Sequence, residues 1–262
     1  MTTSPTSTTS LTASTEELRS DLKSQLGTVL DSLDAGAAEL GARTWPAKAV
    51  GDTAPDFELP DACGGTVTLA RLLRDGPVVL VFYRGAWCPY CNLQLRAFQA
   101  ALEDIRADGA TLVAISPQTP DKSLTLAEQA ELAFPVLSDV GNAVARSYGL
   151  VFALGAADRE LHSGIGIDLT AFNGDDTGEL PAPAVFVVDA DGTIRFASVA
   201  GDYRWRIGPD EVLAVLRPRA AIAGRRVLWC CGSPMWNLSA GERLGATSNL
   251  RTPAERRVSG VH

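Results

Sequence analysis

Lysine is scarce in this chain. There are three, Lys23, Lys48 and Lys122, so nearly all the positive charge is arginine. Acidic residues outnumber basic ones 31 to 23, for a formal net charge of −8 at pH 7. That balance argues against nucleic acid or an anionic membrane as the main partner. Long apolar runs are also missing: the longest, over 78–82, is strand length, and about 18 residues are needed to span a bilayer. The opening stretch, MTTSPTSTTSLTAST, lacks both a basic start and a hydrophobic segment, so no secretory signal is expected. A cytoplasmic, reducing setting follows, in which the five cysteines are more readily reactive, metal-binding or inert than structurally paired. With 46% hydrophobic and 21% charged residues, what remains is globular composition, neither fibrous nor disordered.

Residues 1–13 are rich in serine and threonine and are expected to be disordered. Ser14 and Glu17 then form a capping-box pattern. Leu18, Leu22, Leu26, Val29, Leu30, Leu33, Ala37 and Leu40 follow at helical spacing, which predicts a helical extension over 14–45, broken near Gly27. Such a stripe either docks a partner or packs on its own domain, and the second is the commoner use. Strand and helix patterns then alternate: strand 78–84, helix 88–107, strand 111–116, helix 124–132, strand 136–137 and helix 142–148. Strands over 184–189 and 193–198 flank Ala190-Asp191-Gly192, a hairpin turn, and a last helix covers 209–216. The pattern predicts an α/β domain with a mixed central sheet. Residues 218–262 are basic and without periodicity, and read as a poorly ordered tail.

Chemistry concentrates in Phe82-Tyr83-Arg84-Gly85-Ala86-Trp87-Cys88-Pro89-Tyr90-Cys91. A buried strand runs into a short loop, and a Cys-x-x-Cys opens a helix. Unpaired N–H groups and the positive end of the helix dipole lower a thiol pKa there. Pro89 suits the first turn, where its missing N–H costs nothing. The i, i+3 spacing puts both sulfurs on one face, close enough for a disulfide, and Arg84 adds positive charge on the same loop. A zinc site would need two further ligands, and no second pair occurs in the folded region, so no metal is expected. A dithiol within a strand–helix–strand pattern points to redox chemistry.

At these residues the chain resembles the thioredoxin superfamily and, within it, the alkyl hydroperoxide reductase/thiol-specific antioxidant (AhpC/TSA) group of peroxiredoxins. The resemblance extends through Gly51 to Pro60, Val81 to Gly85, Phe134 to Asp139 and Ala184 to Gly192. It is similar to a peroxiredoxin-like subgroup with a Gly-x-Trp-Cys-Pro-Tyr-Cys site, which also carries Ser116-Pro117-Gln118-Thr119, Phe172 to Asp176 and Leu180 to Ala184. It implies a thioredoxin-like fold over 48–217 and a thiol-dependent peroxidase for hydrogen peroxide or organic hydroperoxides. Thioredoxin or a glutathione-type thiol would recycle the Cys88–Cys91 disulfide, with no cofactor, and a homodimer is open. The alternative is a thiol–disulfide oxidoreductase acting on protein or glutathione disulfides. A third reading is a redox sensor whose helical arm or tail binds a partner in one oxidation state.

Two departures from the peroxiredoxin pattern bear on the site. Laid over Pro-x-x-x-Thr-x-x-Cys, this chain has Arg84 at the proline, Cys88 at the threonine and Cys91 at the peroxidatic cysteine. The arginine that peroxiredoxins carry before a later strand is absent, and Pro183 falls near that point, as a thioredoxin proline facing the dithiol does. Peroxiredoxin alignment therefore names Cys91 as nucleophile and Cys88 as resolving thiol, whereas thioredoxin logic reverses them. Tyr83, Trp87 and Thr119 are expected to shape the site. Gln118 could line it in place of Thr119, and the Ser-Pro-Gln-Thr-Pro run that holds both reads otherwise as a turn. Cys63, Cys230, Cys231 and His162 receive no role.

Overall fold

The structure, a computed structural model, describes residues 8–123 and 131–217. At its centre is a five-stranded sheet in the order β5-β4-β3-β8-β9. β3 (Val78–Phe82), β4 (Thr111–Ser116) and β5 (Val136–Ser138) run parallel. β8 (Ala184–Val188) is antiparallel to β3, and β9 (Ile194–Val199) to β8. The β8–β9 hairpin closes at the expected turn: Gly192 N–H donates to Asp189 O at 2.8 Å, and the Asp191 carboxylate accepts from Thr193 N–H. Two short antiparallel pairs lie outside this sheet, β1 (Glu58–Pro60) with β2 (Thr66–Thr68), and β6 (Val151–Ala153) with β7 (Glu179–Pro181).

Because strand side chains alternate, β3 supplies both cores. Val79 and Val81 face α4 (Pro89–Ala100) and α9 (Pro209–Leu216), packing with Leu95, Phe98, Val212 and Leu216. Val78, Leu80 and Phe82 face the opposite layer, with Leu69 of α3 (Leu69–Leu72), Ala145 of α6 (Ala143–Ser147) and Tyr148 beyond its end. Register pairs Leu80 with Val113 on one side and Phe186 on the other, so the strand before the dithiol is buried on both faces.

The N-terminal extension is two helices, α1 (Thr8–Leu26) and α2 (Thr28–Gly41), broken at Gly27 as expected. The first begins at Thr8, not Ser14, so residues 8–13 are helical where disorder is expected. Leu11 is fully buried, and that anchor carries the helix back past the capping box. α1 lies along α4, with Leu18 and Leu22 against the core around Leu95 and Phe98. The stripe therefore packs on its own domain.

The helix expected over 88–107 divides into α4 and α5 (Leu102–Ala107) at Ala101, with Cys88 as the N-cap. Two helices not expected, α7 (Ala156–Gly164) and α8 (Leu169–Asn173), sit between β6 and β7. The expected helix over 124–132 falls on residues outside the described ones but for its last two positions. The basic tail over 218–262, with Cys230 and Cys231, lies outside them entirely. No described helix is long and apolar enough to cross a membrane.

Candidate active site

β3 ends at Phe82 and the chain turns through Tyr83, Arg84 and Gly85 into the start of α4. Gly85 has φ 150°, and a Cβ there would strike the Trp87 ring, so the turn requires glycine. Two side chains pin it. The Gln118 amide oxygen accepts from Ala86 N–H, and Asn92 donates to Ala86 O at 2.7 Å. Cys88 carbonyl then accepts from Cys91 N–H at 3.0 Å, opening the helix with both cysteines in its first turn.

Both sulfurs are free thiols and deeply buried, Cys88 2% exposed and Cys91 fully enclosed. Arg206 reaches Cys91 from the loop between β9 and α9: its Nη2 donates to Cys91 Sγ at 3.3 Å. Gln94, one turn along α4, donates to Ile207 O at 3.1 Å and holds that loop in place. Burial pushes the Cys91 thiol up. A hydrogen bond from Cys88, the Arg206 charge, the Arg84 backbone N–H and the Arg84 charge outweigh it and hold Cys91 well below the ordinary thiol value. Cys88 goes the other way: burial and its proton-sharing with Cys91 push it well above, against the two arginines. The Arg206 contact therefore favours negative charge on Cys91 over Cys88.

Arg84 is itself clamped. Its guanidinium stacks over Trp87 at 4.7 Å and Tyr203 at 4.1 Å, and Nη2 meets His162 Nε2 at 3.2 Å. Arginine only donates, so Nε2 is the acceptor and the imidazole proton sits on Nδ1, facing Asp158 O at 2.6 Å. Burial and then the Arg84 charge lower the His162 pKa, which keeps it neutral in that tautomer. Tyr203 and Tyr90 lie 5.9 Å apart, and burial pushes each hydroxyl up to about 12.

The N-terminal helices are fastened to this site. Asp34 of α2 pairs with Arg19 of α1 at 2.6 Å and with Arg204 at 3.2 Å, and Arg204 also pairs with Asp202 at 2.6 Å. Tyr203 Oη donates to Leu33 O at 3.3 Å. A largely apolar pocket of about 330 Å³ remains between the helices and the dithiol loop, with Cys88, Arg84 and Trp87 among its lining residues.

Of the residues singled out from sequence, Cys88, Cys91, Arg84 and Trp87 come together. Tyr83 is fully buried beneath the turn, and burial raises its hydroxyl pKa. Pro183, just before β8, lines a narrow cleft with Gln94 and Arg206. Thr119 turns away: its N–H and hydroxyl both donate to Phe172 O, while neighbouring Gln118 takes the position at the dithiol loop. Cys63 is exposed in the β1–β2 turn. Arg206, Tyr203, His162 and Gln94 are additions. The only trace of the first two is the run Asp202-Tyr203-Arg204-Trp205-Arg206 ahead of a helix; two arginines among aromatics there mark more than a turn. Among the described residues, no group of three or more His, Cys, Asp or Glu gathers in a metal-binding arrangement.

Residues 50–197 match the AhpC/TSA family. A putative peroxiredoxin of Mycobacterium tuberculosis is 39% identical over 100 residues, 38% of this chain and 65% of that one. A chloroplastic peroxiredoxin Q of Populus jackii is 34% identical over 100 residues, covering 38% and 46%. The match thus spans less than two thirds of these relatives' own lengths. Among solved structures, the peroxidoxin BcpB from Mycobacterium tuberculosis superposes with a TM-score of 0.51 at 29% identity, covering 64% of this chain and 95% of that one. A peroxiredoxin-like protein from Aquifex aeolicus gives 0.52 at 18% identity, covering 65% and 87%, a likeness of fold.

Proposed function

Since this chain belongs to the AhpC/TSA family, we propose that it is a thiol peroxidase in which Cys91 attacks the peroxide and Cys88 resolves the product. The observation that carries the reading is the Arg206 guanidinium, whose Nη2 lies 3.3 Å from Cys91 Sγ. A thiolate, not a thiol, is the nucleophile. Cys91 S⁻ attacks one peroxide oxygen, the O–O bond breaks, and the departing hydroxide or alkoxide takes up a proton. Cys91 is left as a sulfenic acid. Cys88 sulfur then attacks the Cys91 sulfur, the S–O bond breaks, and hydroxide leaves with the Cys88 proton as water. The result is the Cys88–Cys91 disulfide, which a thiol reductant reopens by exchange.

Arg84 and Arg206 bring positive charge to a water-poor site, where it stabilises charge developing on the leaving oxygen. The Trp87, Tyr203 and His162 contacts hold Arg84 without neutralising it. Cys88 is 2% exposed beneath α1 and α2, which argues against a general oxidoreductase for folded protein disulfides. The test is the rate at which hydrogen peroxide and cumene hydroperoxide convert the reduced protein to the disulfide. Conversion at least a hundred times faster than that of free cysteine is the expected result. Conversion no faster than free thiol would end the peroxidase reading.

A further inference from the structure

The pocket opens onto Cys88 and the Arg84 guanidinium, whereas Cys91, the sulfur with the Arg206 contact, is fully enclosed. It is lined by Leu26 of α1, Leu30 of α2, Ile165 and Ile167 beyond α7, and by Cys88 and Arg84 of the dithiol loop. We propose that this pocket is the reductant site, and that the reductant is a small thiol carrying an apolar chain, not a folded protein. The proposal rests on the peroxidase reading for the origin of the disulfide.

Size, charge and polarity each point the same way. The pocket holds about 330 Å³, room for a small thiol, and is walled in part by α1 and α2, which Arg19, Asp34, Arg204 and Tyr203 fasten down. Among the lining residues, the Arg84 guanidinium brings positive charge toward an entering thiolate. The leucine and isoleucine walls accept a hydrocarbon chain, whereas the charged ends of a peptide thiol such as glutathione would lose their hydration against them.

The exchange has a built-in direction. The entering RS⁻ attacks Cys88 Sγ, a Cys88–SR bond forms, the Cys88–Cys91 bond breaks, and the electron pair leaves on Cys91. That sulfur is the better leaving group, with the Arg206 guanidinium at 3.3 Å to receive its charge. Attack at Cys91 would instead eject Cys88, which has no such contact. A second RSH then attacks the R sulfur, RS–SR is released, and Cys88 recovers a proton. Two thiols are oxidised to one disulfide as the protein disulfide is reduced to the dithiol.

The experiment starts from the disulfide form made with diamide, so that it does not depend on peroxide turnover. Its reduction is followed with 1-hexanethiol, 2-mercaptoethanol, glutathione and a bacterial thioredoxin, with rate constants expressed per thiolate. In the parent, hexanethiol is expected to outrun each of the others at least tenfold. Leu26→Asn should slow hexanethiol about tenfold and leave 2-mercaptoethanol within twofold. Ile165→Asn, on a different element of the lining, repeats the test should the first variant fold poorly. Equal rates for the small thiols, no selective loss in the variants, or a faster thioredoxin would each overturn the proposal. A preserved hexanethiol preference in a protein that peroxide oxidises slowly would sink the peroxidase reading and leave the reductant site standing.

Discussion

Replacing Arg206 by glutamine removes the guanidinium that donates to Cys91 and leaves a shorter, neutral side chain in its place. Arg206 is 7% exposed and Cys91 fully enclosed, so water cannot take over the role. A hydrogen bond to a charged group is worth about 1.5–3 kcal/mol. At about 1.4 kcal/mol per pKa unit, its loss raises the Cys91 pKa by roughly 1–2 units. Because the two thiols titrate as a pair, the clean background is Cys88→Ser, whose hydroxyl can still donate to Cys91. Thiolate absorbance near 240 nm suits an enclosed sulfur better than alkylation does. With Arg206 present, the transition should lie well below the ordinary thiol range of about 8.5. In Arg206→Gln it should move up by one to two units, with a matching loss of peroxide reactivity at pH 6. A transition already near 8.5 with Arg206 in place, or one that does not move on its removal, would refute the electrostatic account.

Two further outcomes concern stability. Phe98, fully buried between the sheet and α1, should cost about 3–5 kcal/mol as Phe98→Ala in a urea melt, the usual range for an enclosed aromatic. A loss under 1 kcal/mol would show that α4 is not seated as described. Burial pushes the Asp202 carboxyl up, but its bonds to Arg204 outweigh this and hold it below the usual carboxylate range. A depressed pKa gives stability that is present above about pH 4 and lost as pH falls through the folded value. The gap in melting temperature between the parent and Asp202→Asn should therefore be constant from pH 7 to about 4 and close below it; a gap that widens in acid would contradict the sign.

How much of this could be read from sequence follows the range of each interaction. The strand over 78–82, the dithiol at a helix start and the β8–β9 hairpin are written in local patterns: an apolar run, Cys-Pro-x-Cys, and Ala-Asp-Gly between strands. The register of the five-stranded sheet and the joining of Arg206 to Cys91 across 115 positions are not local, and no spacing rule reports them. The segment with α7 and α8 is quiet for a different reason. Its flanking strands have three residues each, too few to show alternation, and α7 buries a single residue, His162. That histidine matters through Arg84, a partner 78 positions earlier. Thr119 and Gln118 show the limit of motif reading at one position: the run offers both side chains to the site, and only the structure shows that Gln118 holds the dithiol loop while Thr119 turns to Phe172.

The central claim is that Cys91, not Cys88, is oxidised first. One equivalent of hydrogen peroxide added to Cys88→Ser and to Cys91→Ser, followed by intact mass, tests it directly. The account predicts a rapid gain of one oxygen on the Cys88→Ser protein and an unchanged Cys91→Ser protein over the same interval. Rapid oxygen uptake by Cys91→Ser, with Cys88→Ser inert, would contradict it and hand the nucleophile to the sulfur at the pocket.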